Sequence, residues 1–316
     1  MVHKVLTVTL NPSMDRTLQI AGLSIGDVNR VNSIDEEPAG KGINVAKVLQ
    51  LFGLEPWMAG FLGGYIGDEM LRRLQAKCGN LNFTACVETT RMNIKVECDG
   101  EVTEFNGLGP QITAGEMEAF LIAFHRSMAD TTHLVLSGSL PPGIPKDTYA
   151  NLIAVARQVN PNVFVCLDAS GEALMHGMKS MPDMIKPNLA ELGEYLGKPL
   201  ENASDAVKPM LRLFESGVAH ALCSLGADGM LVVDKGEVLR CYGPPIQPVQ
   251  TVGCGDSAVA AYLVGLLQEK PVIDCAVMAV AAGSAAAARL GIGLQSLENV
   301  DDMIKGVQWE RMRLHS

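Results

Sequence analysis

The chain has 316 residues, 48% hydrophobic and 19% charged, with a mean hydropathy of +0.19, which is the composition of a folded chain with ample core and excludes intrinsic disorder. Lys and Arg number 25 against 35 Asp and Glu, and the formal net charge of -10 excludes a broad nucleic-acid footprint. The eight cysteines (Cys78, Cys86, Cys98, Cys166, Cys223, Cys241, Cys254 and Cys275) form no C-x-x-C pair and have no histidine at zinc-ligand spacing, so they read as reduced thiols of a cytoplasmic protein.

Val5 to Leu10 is a short apolar run before Asn11, Pro12 and Asp15, which reads as a first core strand and not as a signal peptide. Strand-like stretches follow at Leu18 to Ile20 and Val28 to Val31. Ala39-Gly40-Lys41-Gly42 then forms a Gly-rich turn that opens an apolar-periodic helix through Phe52, with Gly53 as its stop. Trp57 to Leu62 reads as a strand and Asp68 to Lys77 as a helix closed by Gly79. Two β-like runs, Met92 to Cys98 and Glu101 to Phe105, flank Asp99-Gly100, the strongest short hairpin pattern in the chain.

Alternation resumes with a helix from Thr113, where Glu116 completes a capping box, and a strand from His133 to Leu136. Phe164 to Leu167 and Met184 to Lys186 read as strands, Asn188 and Asp205 to Glu215 as helices, and Ala219 to Ser224 as a strand. A second hairpin pattern, Met230 to Val233 with Val238 to Tyr242, surrounds Lys235-Gly236. Ala258 to Leu267 and Cys275 to Ala288 are apolar but shorter than the about 20 residues a bilayer span requires, so they read as buried helices. The whole predicts an α/β chain: a mainly parallel sheet, helices on both faces, and a small β-sheet lid built from the helix-free stretches 11–36 and 88–107. One domain spanning 1–316 is expected, with no linker dividing it.

Ligands of open parallel sheets bind beyond the carboxyl ends of the strands, so the segments that follow the predicted strands are the candidate sites. Gly253-Cys254-Gly255-Asp256 places small residues and backbone N–H groups at the start of a buried helix, an anion site. The alternative is an acid that merely complements the helix dipole. The run also fits G-x-G-x-x-A, but the acid at the expected spacing, Asp274, falls between two helices, so a dinucleotide fingerprint is rejected. Gly40-Lys41-Gly42 lacks the spacer and hydroxyl of a P-loop. It leaves backbone open to a ligand, beside one cation and with Asn44 a turn later, or it is simply a tight turn before a helix.

Arg91 opens the lid hairpin as a ligand-binding cation or a solvated edge charge. Asn188 and Glu191, three apart, can reach a metal-bound water or form an ordinary helix cap. Cys254 at a helix N-terminus invites a lowered thiol pKa, against the reading of a small residue filling the loop. The six histidines form no triad or metal pattern.

Together, Thr7 to Pro12 with Asp15, Gly40 to Ala46, Ser137 to Pro141, Lys186-Pro187-Asn188 with Glu191, and Thr251 to Ser257 resemble the PfkB (ribokinase-like) carbohydrate kinases in order and spacing, from about residue 4 to residue 300. The resemblance implies a three-layer ribokinase-like fold and transfer of a phosphoryl group from ATP, with Mg²⁺, to a sugar hydroxyl. It makes Asp256 the general base, kept ionised by the helix dipole, and Gly253, Cys254, Gly255 and Asp256 the anion loop.

By the same resemblance Asp15, Gly40 and Asn44 hold the sugar, Lys41 sits where a cation can meet either the sugar or the γ-phosphate, and Arg91 and Ser139 hold the phosphate already on the substrate. Lys186, Asn188 and Glu191 serve magnesium and phosphate, the metal through water, while Ser224, Gly226, Asp228 and Gly229 border ATP. Thr90 to Lys95 and Thr103 to Pro110 look closer to the family members that act on fructose 1-phosphate than to those acting on tagatose 6-phosphate. Acceptors kept open are tagatose 6-phosphate and fructose 6-phosphate, and a non-catalytic sugar-phosphate sensor is the reading from another class. A homodimer through the lid is implied, with neither nucleic acid nor membrane as partner. Ala39 and Cys254 depart from the commoner Gly and Ala of the family; both are small and keep the backbone donors.

Overall fold

The computed structural model describes residues 3–77, 79–98, 100–289, 291–298 and 300–312. The first half runs β1 (Val5–Thr9), β2 (Ser13–Ile20), β3 (Val31–Ala39), α1 (Lys41–Leu51), β4 (Trp57–Gly63), α2 (Gly64–Lys77), β5 (Leu81–Cys86), β6 (Arg91–Cys98), β7 (Glu101–Phe105) and α3 (Ala114–Met128). It continues with β8 (His133–Ser137), α4 (Thr148–Val159), β9 (Phe164–Asp168), α5 (Gly171–Met178), β10 (Met184–Ile185), α6 (Leu189–Leu196), α7 (Ala203–Glu215) and β11 (His220–Ser224). The chain then closes with β12 (Met230–Asp234), β13 (Glu237–Tyr242), α8 (Cys254–Leu267), α9 (Val272–Ala287), α10 (Val300–Gly306) and β14 (Gln308–Arg311).

Ten strands form one sheet in the order β14-β13-β12-β11-β10-β9-β8-β1-β4-β5, parallel from β11 to β5 and antiparallel over β12, β13 and β14. Side chains alternate across the parallel strands. Leu6, Val8, Leu136, Val165 and Leu167 join Phe120, Tyr149, Leu152 and Met210 on one face, while Val5, Val135, Cys166 and Leu222 join Val48 of α1 and the apolar bodies of α8 and α9 on the other. Burial of each large side chain in these layers contributes about 1.5–3 kcal/mol, so the sheet is a rigid platform. The expected three-layer architecture is the one observed.

The lid is a second sheet, β3-β2-β6-β7, with β2 and β6 parallel and the outer pairs antiparallel. Met14 of β2 seals it to the body by packing with Ile43 of α1 and Ile66 and Met70 of α2. The two helix-free stretches do combine as expected, but the first runs on to Ala39. Val28 to Val31 is not the second strand: Val28 is exposed in a loop tied by Asn29, whose side chain both accepts from Ser24 N and donates to Ser24 O at 2.8 Å. The strand starts at Val31 instead, and its polar sequence hid it. Likewise β2 starts at Ser13, so Asp15 lies in a lid strand and not in the loop after β1.

Both capping boxes form, at Thr113 with Glu116 and at Asn188 with Glu191. The hairpin of β12 and β13 turns at Lys235-Gly236, both in the left-handed region. Of the other expected turn, Asp99 lies outside the described residues, and Cys98 and Glu101 pair beside it. Cys78 and His315 also lie outside them. The helix expected from Asp68 starts at Gly64, and Asp274 lies in the first turn of α9, not between helices. Strands β5 and β14 and helices α4, α5 and α10 were not anticipated; β14 is exposed throughout and carries no apolar alternation to reveal it.

Candidate active site

The carboxyl ends of β1, β8, β9, β10 and β11 meet the N-termini of α1 and α8, and most of the expected residues gather there. Gly40 caps α1 at φ 130°, where a Cβ would stand 2.6 Å from Thr9 Cγ2, so this approach of α1 to β1 requires glycine. It sets Asn44 in the first turn of α1. Gly253 caps α8 at φ 78° with the 291–294 segment pressed against it, a Cβ there falling 2.5 Å from Gly293 N. That turn presents the first N–H groups of α8, which helix geometry leaves without intrahelical acceptors. The Cys254 N–H has a long contact, 3.4 Å, with Thr251 O.

Asn44 Nδ2 donates to Asp256 Oδ2 at 2.7 Å. Lys41 Nζ donates to Asp168 Oδ1 at 3.1 Å, and Lys186 Nζ lies 3.7 Å from the same oxygen. A Cβ on Gly255 would stand 3.2 Å from Lys186 Nζ, which puts this ammonium against the anion loop. Asp168 was not singled out from the sequence. Its one cue was an acid closing an apolar strand, at the end where ligands bind.

Burial, then the Asp168 carboxylate, push Asp256 up to about 6, against the opposing pull of Lys41, Asn44 and Lys186. Asp256 is thus a weaker acid than an ordinary aspartate, yet one that is still mostly ionised at neutral pH. Burial works against the Asp168 carboxylate too, but Lys186 and Lys41 outweigh it and hold its pKa below the usual range. For Lys41 burial is likewise overcome, by Asp168, Asp256 and Glu191, and its pKa lies above that of an ordinary lysine. Cys254 is the opposite of the lowered thiol considered above. Burial and the Asp256 carboxylate push it up to about 11, as the reading of a small loop-filling residue requires.

Arg91 opens β6 and donates to Gly107 O and Asn11 O, both at 2.9 Å, using two of its five N–H donors. Burial depresses its pKa, opposed by Asp15. Asn11 Nδ2 in turn donates to Ser139 Oγ at 3.3 Å, so Arg91 and Ser139 are brought together through Asn11. Gly138 N donates to Asp168 O at 3.0 Å, which joins this group to the lysine cluster. Asp15 accepts from Ser13 and Asn93 and pairs with Lys95, three further lid residues to which sequence reasoning assigned no role.

Asn188 Oδ1 accepts from Glu191 N and Glu191 Oε2 from Asn188 N, each at 2.8 Å. Asn188 also bridges to Ser224 of β11. Gly226–Asp228 forms a tight turn ended by Gly229. Asp228 is not drawn into the cluster; its carboxylate is exposed and lies 3.9 Å from Arg240. Buried polar atoms without a hydrogen-bond partner among the described residues include Asn11 Oδ1, Asn44 Oδ1, Ser137 Oγ, Asp168 Oδ2 and Arg91 Nε around this cleft, together with Lys95 Nζ, ion-paired to Asp15 in the lid, and Arg240 Nε on β13. Buried polar atoms are normally satisfied, so this concentration marks a ligand site.

The profile described as pfkB family carbohydrate kinase matches residues 8–299. The chain belongs to this family. It is 34% identical over 308 residues to a 1-phosphofructokinase of Bacillus subtilis, covering 98% of this chain and 100% of that one. A 1-phosphofructokinase of Vibrio cholerae is also 34% identical, with 98% and 97% covered. Among solved structures, phosphofructokinase-2 of Escherichia coli in complex with potassium superposes with a TM-score of 0.88 at 28% identity, over 96% of this chain and 99% of that one. The kinase thus carries its family's fold over nearly its whole length. Among the described residues no helix is long and apolar enough to cross a membrane, and no group of three or more His, Cys, Asp or Glu side chains is arranged to hold a metal.

Proposed function

We propose that this kinase transfers the γ-phosphoryl group of ATP to fructose 1-phosphate, giving fructose 1,6-bisphosphate and ADP. The observation that carries the reading is the meeting of Asp256, at the N-terminus of α8, with Asn44, Lys41, Asp168 and Lys186 in one buried cluster next to Arg91 and Ser139. Relatives of nearly equal length named 1-phosphofructokinase support the choice of acceptor.

In this reading Asp15, Gly40, Lys41 and Asn44 hold sugar hydroxyls, while Ser139 and the remaining Arg91 donors hold the phosphate already on the substrate. The Asp256 carboxylate takes the proton of the acceptor hydroxyl. The oxygen of that hydroxyl forms the new bond to the γ-phosphorus as the bond from the γ-phosphorus to the bridging β-phosphate oxygen breaks and ADP leaves. The first-turn N–H groups of Gly253, Cys254, Gly255 and Asp256, with Lys186 beside them, stabilise charge on the moving phosphoryl group. Ser224, Gly226, Asp228 and Gly229 border the nucleotide.

The donor set suits magnesium held through water. Asp168 Oδ2 is buried without a partner, and the cap of α6 engages only one oxygen of Glu191. Asn188 and Glu191 would hold the ion, which supplies charge neutralisation on the phosphates. The lid excludes water that would otherwise accept the phosphoryl group. It exposes Val31, Ile34, Val102 and Phe105, apolar surface that supports pairing of two copies through their lids.

The deciding measurement is the initial rate of ADP formation with MgATP and each of fructose 1-phosphate, tagatose 6-phosphate and fructose 6-phosphate, with unphosphorylated fructose as control. The highest kcat/KM is expected for fructose 1-phosphate. Preference for another sugar phosphate would overturn the acceptor and keep the mechanism, and absence of turnover with all three would favour a sensor.

A further inference from the structure

Along β6 the polar side chains Arg91, Asn93 and Lys95 share one face of the strand, because successive residues of a strand point to opposite sides. The parallel register with β2 sets Asp15 beside Asn93 and Thr17 beside Lys95. Ser13, Asp15, Asn93 and Lys95 are all buried, Lys95 with only 1% of its side chain exposed. Lysine is almost never buried to that depth without a partner. Here the partner is Asp15, whose Oδ2 lies 2.8 Å from Lys95 Nζ. The other oxygen, Oδ1, accepts from Ser13 Oγ at 2.6 Å and from Asn93 Nδ2 at 3.0 Å. Asn93 is oriented in its turn, since its Oδ1 accepts from Gly107 N at 3.2 Å.

We propose that Lys95 and Asn93 are positioning residues that hold the Asp15 carboxylate in one orientation as the hydroxyl acceptor of the sugar site. The proposal rests on the reading of this protein as a sugar-phosphate kinase with Asp15 in the sugar site. A carboxylate has about four acceptor directions; Ser13 and Asn93 occupy those of Oδ1, while the Lys95 ammonium stands against Oδ2 as an ion pair without hydrogen-bond geometry. Oδ2 is left to accept from the substrate. A carboxylate fixed in this way binds without first losing rotamer freedom, so its supports act on sugar affinity and not on the phosphoryl-transfer step. The same arrangement ties the two central lid strands to the substrate: a sugar that engages Asp15 engages β2 and β6 together.

The test is a double-mutant cycle of Lys95→Met and Asp15→Asn, with Asn93→Ala as a separate variant, each assayed for KM of fructose 1-phosphate, KM of ATP and kcat. Lys95→Met should raise the sugar-phosphate KM by about tenfold or more, with kcat and the ATP KM within about threefold of wild type, as loss of uniform binding requires. The double variant should be no worse than Asp15→Asn alone, because Lys95 acts through that carboxylate. Asn93→Ala should raise the same KM by about threefold or more, and it decides the matter if Lys95→Met does not fold. Unchanged sugar-phosphate KM in both supporting variants, or effects of Lys95→Met and Asp15→Asn that multiply in the double variant, would overturn the proposal. Absence of wild-type turnover with every sugar phosphate would instead remove the kinase reading, and this inference with it.

Discussion

Asn44 Nδ2 donates to Asp256 Oδ2 at 2.7 Å across 212 positions of sequence. Both residues lie in the first turns of helices, α1 and α8, that pack against each other. The positive ends of two helix dipoles therefore converge where a sugar and a triphosphate would meet. The same packing buries the Asp256 carboxylate, and burial raises its pKa.

Replacing Asp256 by Asn should separate activity from stability. With Asp256 as the proposed base, kcat should fall by about 10²-fold or more. An acid whose folded-state pKa is raised, here to about 6, opposes folding above that pH, so removing the charge should stabilise the fold by about 1–3 kcal/mol at neutral pH. Turnover and thermal denaturation measured on one preparation check both halves. Near-normal turnover would remove Asp256 from the mechanism.

The pH dependence follows from the same group. With Asp256 pushed up to about 6, kcat/KM for the sugar phosphate should fall as pH drops below about 6 and level off above it. Asp168→Asn removes the carboxylate that helps raise Asp256 and leaves Lys41 and Lys186 to lower it, so the acid limb should move to lower pH. The substrate phosphate titrates identically in both proteins, so the shift isolates Asp256. Loss of one member of this buried charge cluster should also destabilise the fold by about 3–5 kcal/mol.

Cys254 should be slow to alkylate. With the thiol pushed up to about 11, little thiolate exists at neutral pH. Peptide-resolved iodoacetamide labelling of the folded protein at pH 7 should find Cys254 far less modified than after denaturation, and Cys254→Ala should keep kcat within about threefold, since the backbone donors remain. Rapid selective labelling would show that the burial argument is wrong.

At the amino-terminal ends of the strands, the opposite edge of the sheet from the site, His133 packs against the rings of His3 and Phe164, and burial, then His3, lower its pKa to about 4. The unfolded chain takes up this proton near pH 6.5, so the His133 contribution to stability, opposite in sign to that of Asp256, should be intact above that value and decline as pH falls toward 4. Its contribution amounts to roughly 2 kcal/mol across that window. His133→Phe should flatten the decline in thermal midpoint between pH 6.5 and 4. An unaltered slope would assign acid sensitivity to other groups.

Much of the architecture was legible because it is local. Apolar runs of strand length, the glycine at Gly40, the capping boxes at Thr113 and Asn188 and the hairpin at Lys235-Gly236 depend on neighbours within a few residues, and each forms as expected. Polar β3 and exposed β14 escaped because neither carries the alternation that identifies a half-buried strand. At the site, Asp256, Asn44, Lys41, Lys186, Arg91 and Ser139 were recognisable from ordered short motifs at strand and helix ends. Asp168, Asn93 and Lys95 were not, since each is an ordinary polar residue until its distant partners are in place.

The sequence by itself determined the alternation of strands and helices, the lid, the glycine-opened start of α8 and the family to which these motifs belong. Only the tertiary structure decided the chemistry of individual groups. It paired Asp168 with two lysines, set Lys95 against Asp15, raised Asp256 toward neutrality and pushed the Cys254 thiol up, where the local helix argument had pointed down. Charge interactions and desolvation depend on separation and burial in space, and no spacing along a chain encodes either until the chain is folded.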